Sequence, residues 1–197
     1  MGVHIRQATG ADRDVVVGVL HKAFRTDPVS QWVFPDPGHR DQVHPHMMGA
    51  FTDLVLAAGR VDLADEGAAA ALWLDTPAGA PEPDDGPAQL RAALDPYNER
   101  IELIASLTTQ THPHHEAHLY LWMIGVHPDW QGEGLGSALM TPVLERCDRE
   151  GKAAYLEASS TRSRELYRRL GFADHGTPLR LPYGGPLMYP MWRAPQG

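Results

Sequence analysis

A glycine-rich turn carries the strongest chemical signal in this 197-residue chain. Along Met123-Ile124-Gly125-Val126-His127-Pro128-Asp129-Trp130-Gln131-Gly132-Glu133-Gly134-Leu135-Gly136-Ser137, a strand runs into the turn and the turn opens a helix. Leu135, Ala138, Leu139, Val143 and Cys147 share one face of that helix. Backbone N–H groups at a helix start are unpaired, and the helix dipole adds partial positive charge there. Glycine lets such a backbone approach a phosphate closely. The segment therefore reads as an anion cradle, suited to a pyrophosphate. A P-loop would need Lys and then Ser or Thr after the last Gly, and no Lys lies between Gly136 and Glu150. A dinucleotide fingerprint would need a third Gly where Ser137 stands. The pattern Q/R-x-x-G-x-G/A is met in full by Gln131 to Gly136. Taken alone, so short a motif also fits a glycine turn with no ligand.

Other residues invite chemistry. His112, His114, His115 and His118 are clustered, but their spacing matches no standard zinc motif, so no metal is expected. Cys147 is the only cysteine, which excludes an internal disulfide and a thiolate cluster. Its place on the apolar helix face reads as packing. Trp32, Trp73, Trp122, Trp130 and Trp192 read mostly as core or rim residues, with an apolar acceptor pocket as the alternative.

The elements that must position these residues can be read from periodicity and turn signals. Val3 to Ala8 reads as a first strand. Thr9 and Asp12 start a helix whose apolar positions run from Val15 to Phe24, and Asp27-Pro28 ends it. A second helix is expected over Asp41 to Ala58, with Pro45 disturbing its first turn. Arg60 to Ala64 and Ala68 to Asp75 read as strands joined by Asp65-Glu66-Gly67. Thr76 to Ala88 reads as a surface loop, and Gln89 to Leu107 as a helical region. Strands follow at His118 to Val126 and Ala153 to Ala158, the glycine-turn helix runs between them to about Glu150, and a helix spans Arg162 to Leu170. Phe172 and Met188 to Trp192 close the sheet.

Hydrophobic residues make up 43% and charged residues 21%, as in globular proteins. The net charge of −8 argues against general affinity for nucleic-acid phosphates. No apolar run reaches the roughly 20 residues of a membrane span. The start lacks a signal-peptide segment, so a cytoplasmic location is expected. One domain covering 1–197 is expected.

Tyr155-Leu156-Glu157-Ala158-Ser159-Ser160 and Leu166-Tyr167-Arg168-Arg169-Leu170-Gly171-Phe172 follow the glycine turn in order. Together with it they resemble the GNAT superfamily of acyl-CoA-dependent N-acyltransferases. The resemblance is strong from Leu119 to Phe172 and loose over the first helix. Its details look closest to the puromycin N-acetyltransferase-like branch, whose members differ in substrate.

The resemblance implies an α+β (mixed α/β) fold: a central mixed sheet of six or seven strands, strands four and five splayed, with about four flanking helices. It implies acetyl-CoA as co-substrate. Backbone groups of Ile124 and Val126, with Gly125 between them, would meet the pantetheine. Gln131, Gly132, Glu133, Gly134, Leu135, Gly136 and Ser137 would hold the pyrophosphate. Tyr167 falls at the position of the acid that meets the leaving thiolate. Ser160 stands where many relatives have Asn, and Trp122 where some have a Glu base. The general base stays open among Glu157, Asp27 and a water chain ending on His118 or Glu157. The expected activity is direct acetyl transfer to a small-molecule primary amine, with a homodimer left open and no nucleic acid or membrane as partner. Alternatives are a protein or peptide N-terminal acetyltransferase and a silent acyl-CoA-binding sensor; Tyr167 favours an enzyme.

Overall fold

The structure is a computed structural model that describes residues 3–65, 67–79 and 86–197. Among these residues eight strands form one mixed sheet in the order β1-β2-β3-β4-β5-β8-β6, with β7 pairing β8. They are β1 (Ile5–Gln7), β2 (Arg60–Ala64), β3 (Ala69–Thr76), β4 (His118–Val126), β5 (Ala153–Ala158), β6 (Ala173–Asp174), β7 (Leu179–Arg180) and β8 (Leu187–Arg193). Among the described residues only β4 and β5 pair in parallel. The sheet exceeds the expected six or seven strands because the two-residue β6 and β7 both pair with β8.

Among the described residues there are seven α-helices rather than about four: α1 (Arg13–Phe24), α2 (Pro28–Val33), α3 (Pro37–Ala58), α4 (Gly86–Leu94), α5 (Glu99–Thr111), α6 (Leu135–Glu150) and α7 (Thr161–Arg169). The differences have local causes. Asp27-Pro28 begins a helix as well as following one: Asp27 Oδ1 accepts from the amides of Val29 at 2.8 Å and Ser30 at 3.2 Å, and Pro28 fills the first turn. Asp36 caps α3 in the same way, so the helix begins before Asp41, and Pro45 lies inside it. The helical region after the loop is two helices, separated around Pro96 and restarted by Asn98, whose side chain accepts from the Arg100 amide. Residues 86–88, expected in a loop, belong to α4. Glu66 of the expected turn and residues 80–85 of the expected loop lie outside the described residues.

Helices cover both faces of the sheet. On one face Val16, Leu20, Met48, Leu72 and Ile101 join α1, α3 and α5 to the strands. On the other, Leu139, Met140, Leu156, Phe172 and Met191 seat α6 and the chain around α7. No helix among the described residues is long and apolar enough to cross a membrane.

The sheet opens at its centre. The β3–β4 register passes from Leu72↔Met123 to Trp73↔Leu121, so Trp122 is an extra residue, a β-bulge. A bulge bends its strand and sharpens its twist. The parallel pairing of β4 with β5 covers only His118↔Ala153, Leu119↔Ala154 and Tyr120↔Tyr155. Past Tyr120 the strands diverge, as the splay expected between strands four and five requires.

Candidate active site

A cavity of about 920 Å³ fills the gap between β4 and β5 and continues beneath α3 and α5. Its wall includes Ile124, Gly125, Val126, Gln131, Gly132, Gly134, Leu135, Gly136, Ser137, Glu157, Ser160 and Tyr167. Of the site residues expected from sequence, Glu133 and the candidate water-chain end His118 do not line it.

The β4 edge facing the gap can be assigned from alternation. The His127 amide donates to Ala68 O, toward β3, at 2.8 Å. Successive backbone groups alternate sides, so those of Val126 and Ile124 face the gap. Beyond β4, Gly132 and Gly134 take φ values of +92° and +84°, which only glycine adopts readily. Gly134 starts α6, whose first-turn amides have no partner within the helix. The Gln131 side chain donates to Val126 O at 3.2 Å, tying the turn to the strand end. Gly125 has a packing role: a Cβ there would sit 2.9 Å from Ala23 Cβ of α1. Cys147 is buried far along α6.

At the end of β5, Ser159 Oγ donates to Asp27 Oδ2 at 2.5 Å. Asp27 thus accepts three hydrogen bonds, although burial still raises its pKa. Ser160 begins α7, and its Oγ accepts from the Ser163 amide at 3.1 Å. Its hydroxyl therefore serves the helix cap. Tyr167 is buried, and desolvation, then the Asp27 charge, raises its phenol above the ordinary value. Such a phenol keeps its proton and offers it as a hydrogen-bond donor.

Where β4 and β5 part, Tyr120 OH donates to Glu157 Oε2 at 2.7 Å. Among the described residues Glu157 Oε1 is buried without a partner, and the Tyr155 hydroxyl lies beside the carboxylate without reaching hydrogen-bond geometry. Burial pushes the Glu157 pKa up to about 7, against the lowering effect of the Tyr120 hydrogen bond. His112 lines this end, edge-on to Tyr120 with ring centroids 4.7 Å apart. Its Nε2 lies 3.0 Å from His118 Nε2, and His118 Nδ1 lies 2.8 Å from Glu116 O. These histidines bond to each other and to backbone, and no group of three or more metal-ligating side chains occurs among the described residues. Trp122, at the bulge, packs against Phe51 of α3 with ring centroids 4.5 Å apart and planes tilted by 42°.

The roles of Tyr120 and His112 on this wall escaped the sequence reading. The alternation of β4 could have flagged Tyr120, since it shares a face with His118, a residue the sequence offers as the end of a water chain. Buried His44 was also missed: its ring nitrogens lie 3.2 Å from both Ser30 Oγ and His21 Nδ1, and Ser30 lines the cavity. Helical periodicity gave no reason to single it out.

Comparison with known proteins agrees with this architecture. The profile of the acetyltransferase (GNAT) family matches residues 65–172, more than half of the chain. A mycothiol acetyltransferase of Saccharopolyspora erythraea is 29% identical over 180 residues, covering 89% of this chain and 45% of that protein. A mycothiol acetyltransferase of an Arthrobacter species is 35% identical over 92 residues, covering 44% and 28%. This chain spans less than half the length of these curated relatives. A Corynebacterium glutamicum structure named as a histone acetyltransferase and related acetyltransferase superposes with TM-score 0.73 at 28% identity, covering 100% of this chain and 98% of that one. Arylalkylamine N-acetyltransferase 2 of Aedes aegypti shares the fold at TM-score 0.69 and 13% identity, with both chains covered in full. The chain belongs to the acetyltransferase (GNAT) family.

Proposed function

We propose that this chain transfers an acetyl group from acetyl-CoA to the primary amine of a small molecule by direct attack. The observation that carries the reading is the gap between β4 and β5. One continuous wall leads from the glycine turn, past the unpaired edge of Ile124 and Val126, to Tyr167 and Glu157.

In this reading, the amides of Gly134 to Ser137 hold the pyrophosphate at the start of α6, and Arg162 and Arg169 add positive charge to the cavity. Ile124 and Val126 bond the pantetheine amides in place of a neighbouring strand. A β4 amide donates to the oxyanion that forms at the thioester carbonyl. Glu157, with its pKa near 7, takes the ammonium proton. Neutralising an alkylamine at pH 7 costs about 4.6 kcal/mol, so a base better than an ordinary carboxylate is needed. Tyr167 donates a hydrogen bond to the leaving thiolate. Its raised pKa favours stabilising that charge over giving the proton away.

Two measurements test this. Acetyl-CoA and a set of primary amines should release free thiol only when protein and amine are both present. Calorimetry should show coenzyme A binding that weakens strongly in Gly134→Val. Tight binding with no thiol release for any amine would instead make the protein a sensor.

A further inference from the structure

The acceptor end of the cavity has a chemical character that selects among amines. The walls supplied by α3, α4 and α5 include Met47, Phe51, Leu90, Ile101 and Ile104, with Trp122 of β4 against Phe51. Among the described residues, these helices bring no carboxylate, lysine or arginine to the cavity. The Thr108 hydroxyl, which also lines it, is directed to Ile104 O and Ala105 O at 3.0 Å each.

Two polar groups with an open acceptor stand beside Tyr120; of the others at this end of the cavity, Ser159 bonds to Asp27 and Ser30 to His44, and Thr76, Thr109 and His114 also line it. Glu157 Oε1 is a buried acceptor without a hydrogen-bond partner among the described residues. His112 supplies a second acceptor, as its contacts show. The Glu116 carbonyl can only accept, so His118 Nδ1 carries a hydrogen. Neutral His118 then presents a lone pair at Nε2, and His112 Nε2 must donate to it. That leaves His112 Nδ1 as a lone-pair acceptor.

We propose that the acceptor is a primary amine with one positive charge and an apolar, ring-sized body: its ammonium sits against Glu157 Oε1 and His112 Nδ1, its body against Phe51, Trp122 and Ile104. The proposal rests on the acetyl-transfer reading and specifies its substrate class. A second ammonium or a set of hydroxyls would meet a wall from α3, α4 and α5 that is mostly apolar and, among the described residues, carries no charge. Each polar group left without a partner there weakens binding roughly ten- to hundredfold.

The test uses four probes with acetyl-CoA: 2-phenylethylamine, putrescine, glucosamine and a short peptide with a free N-terminus. Thiol release gives kcat/KM, and calorimetry on the coenzyme A-saturated protein reads amine binding separately. The expected result is a kcat/KM for 2-phenylethylamine at least tenfold above each of the other three. Ile104→Glu, which adds a carboxylate to the apolar wall, should shift the ratio at least tenfold toward putrescine, with folding checked by circular dichroism. Where amines are acetylated, a wild-type preference below tenfold overturns the proposal, as does the absence of calorimetric binding of 2-phenylethylamine. If 2-phenylethylamine binds selectively and is not acetylated, the transfer reading fails while the pocket assignment stands. If all four amines are acetylated equally, the reverse holds.

Discussion

The Tyr120 hydroxyl donates a 2.7 Å hydrogen bond to Oε2 of Glu157 at the point where β4 and β5 cease to pair. This bond stabilises the carboxylate, while burial opposes it and holds the pKa near 7. As a base, Glu157 must be ionised, so kcat/KM should rise with pH through an inflection at about 7. Glu157→Gln should remove that inflection and lower kcat/KM by about 10²–10⁴-fold. Tyr120→Phe takes away a donor to the carboxylate, so the inflection should move to higher pH. Full pH–rate profiles for the three proteins check both statements. An inflection left in place by Glu157→Gln would assign the base elsewhere.

Tyr167→Phe removes one hydroxyl and keeps the ring against Phe172, 6.1 Å away between centroids. Stability and coenzyme A affinity should change little. Because thiolate charge develops only as the bond breaks, kcat should fall by roughly 10²–10⁴-fold with little change in KM. Steady-state kinetics under conditions where chemistry limits the rate decide this. A wild-type kcat in the variant makes Tyr167 a packing residue.

Two glycines of the same segment should fail differently. Gly125→Val drives a side chain into Ala23 and Leu20 of α1, which should destabilise the fold by about 1–3 kcal/mol through overpacking. At Gly134 a Cβ meets no atom within 4 Å, but the φ of +84° disfavours any branched residue and the added bulk stands at the start of α6. Gly134→Val should therefore lose coenzyme A affinity more than thermal stability. Melting curves and calorimetry on both variants separate the two effects.

Buried His44 should make the fold sensitive to acid. Burial first, then the nearby positive groups His21 and Arg40, lowers its pKa from the ordinary 6.5 to about 4, while Asp41 pulls the other way. Between those values the unfolded chain takes up a proton that folded His44 does not. Its contribution to stability is thus complete above about pH 6.5 and falls as the pH drops toward 4. Glu157 shifts upward and contributes the opposite slope in an overlapping window, so the wild-type curve alone is a sum. The difference between wild type and His44→Gln isolates the histidine. Denaturant melts from pH 7 to 4 should show the variant losing less stability on acidification.

The readable parts of the sequence were those in which local chemistry dictates conformation. The glycines at 132 and 134 announce positive φ, and the apolar face of α6 follows at once. Asp27-Pro28 misled because the same dipeptide suits a helix end seen from upstream and a helix start seen from downstream. Glu157 could be placed at the site through the resemblance, but its partner Tyr120 is 37 residues away, and only the assembled sheet joins them. Alternation along β4 tells which face a side chain takes. It does not tell where the neighbouring strand departs. The His112–His118 contact is likewise tertiary: one residue ends a helical segment, the other begins a strand, and neither spacing nor composition sets their tautomers.

Trp122 gives this sheet an odd count. Without the extra residue, β4 would run in unbroken step with β3, and each remaining side chain from Leu121 to Val126 would keep the face it has now. Ile124 and Val126 would stay in the layer around α6, but the backbone edge now open would lose the bend that holds it apart from β5. Deleting one residue could thus seal the molecule like a closed zipper while leaving every proposed reactive group in the chain. Access to the interior is in this sense a matter of arithmetic, set by how many residues lie between Leu121 and Met123.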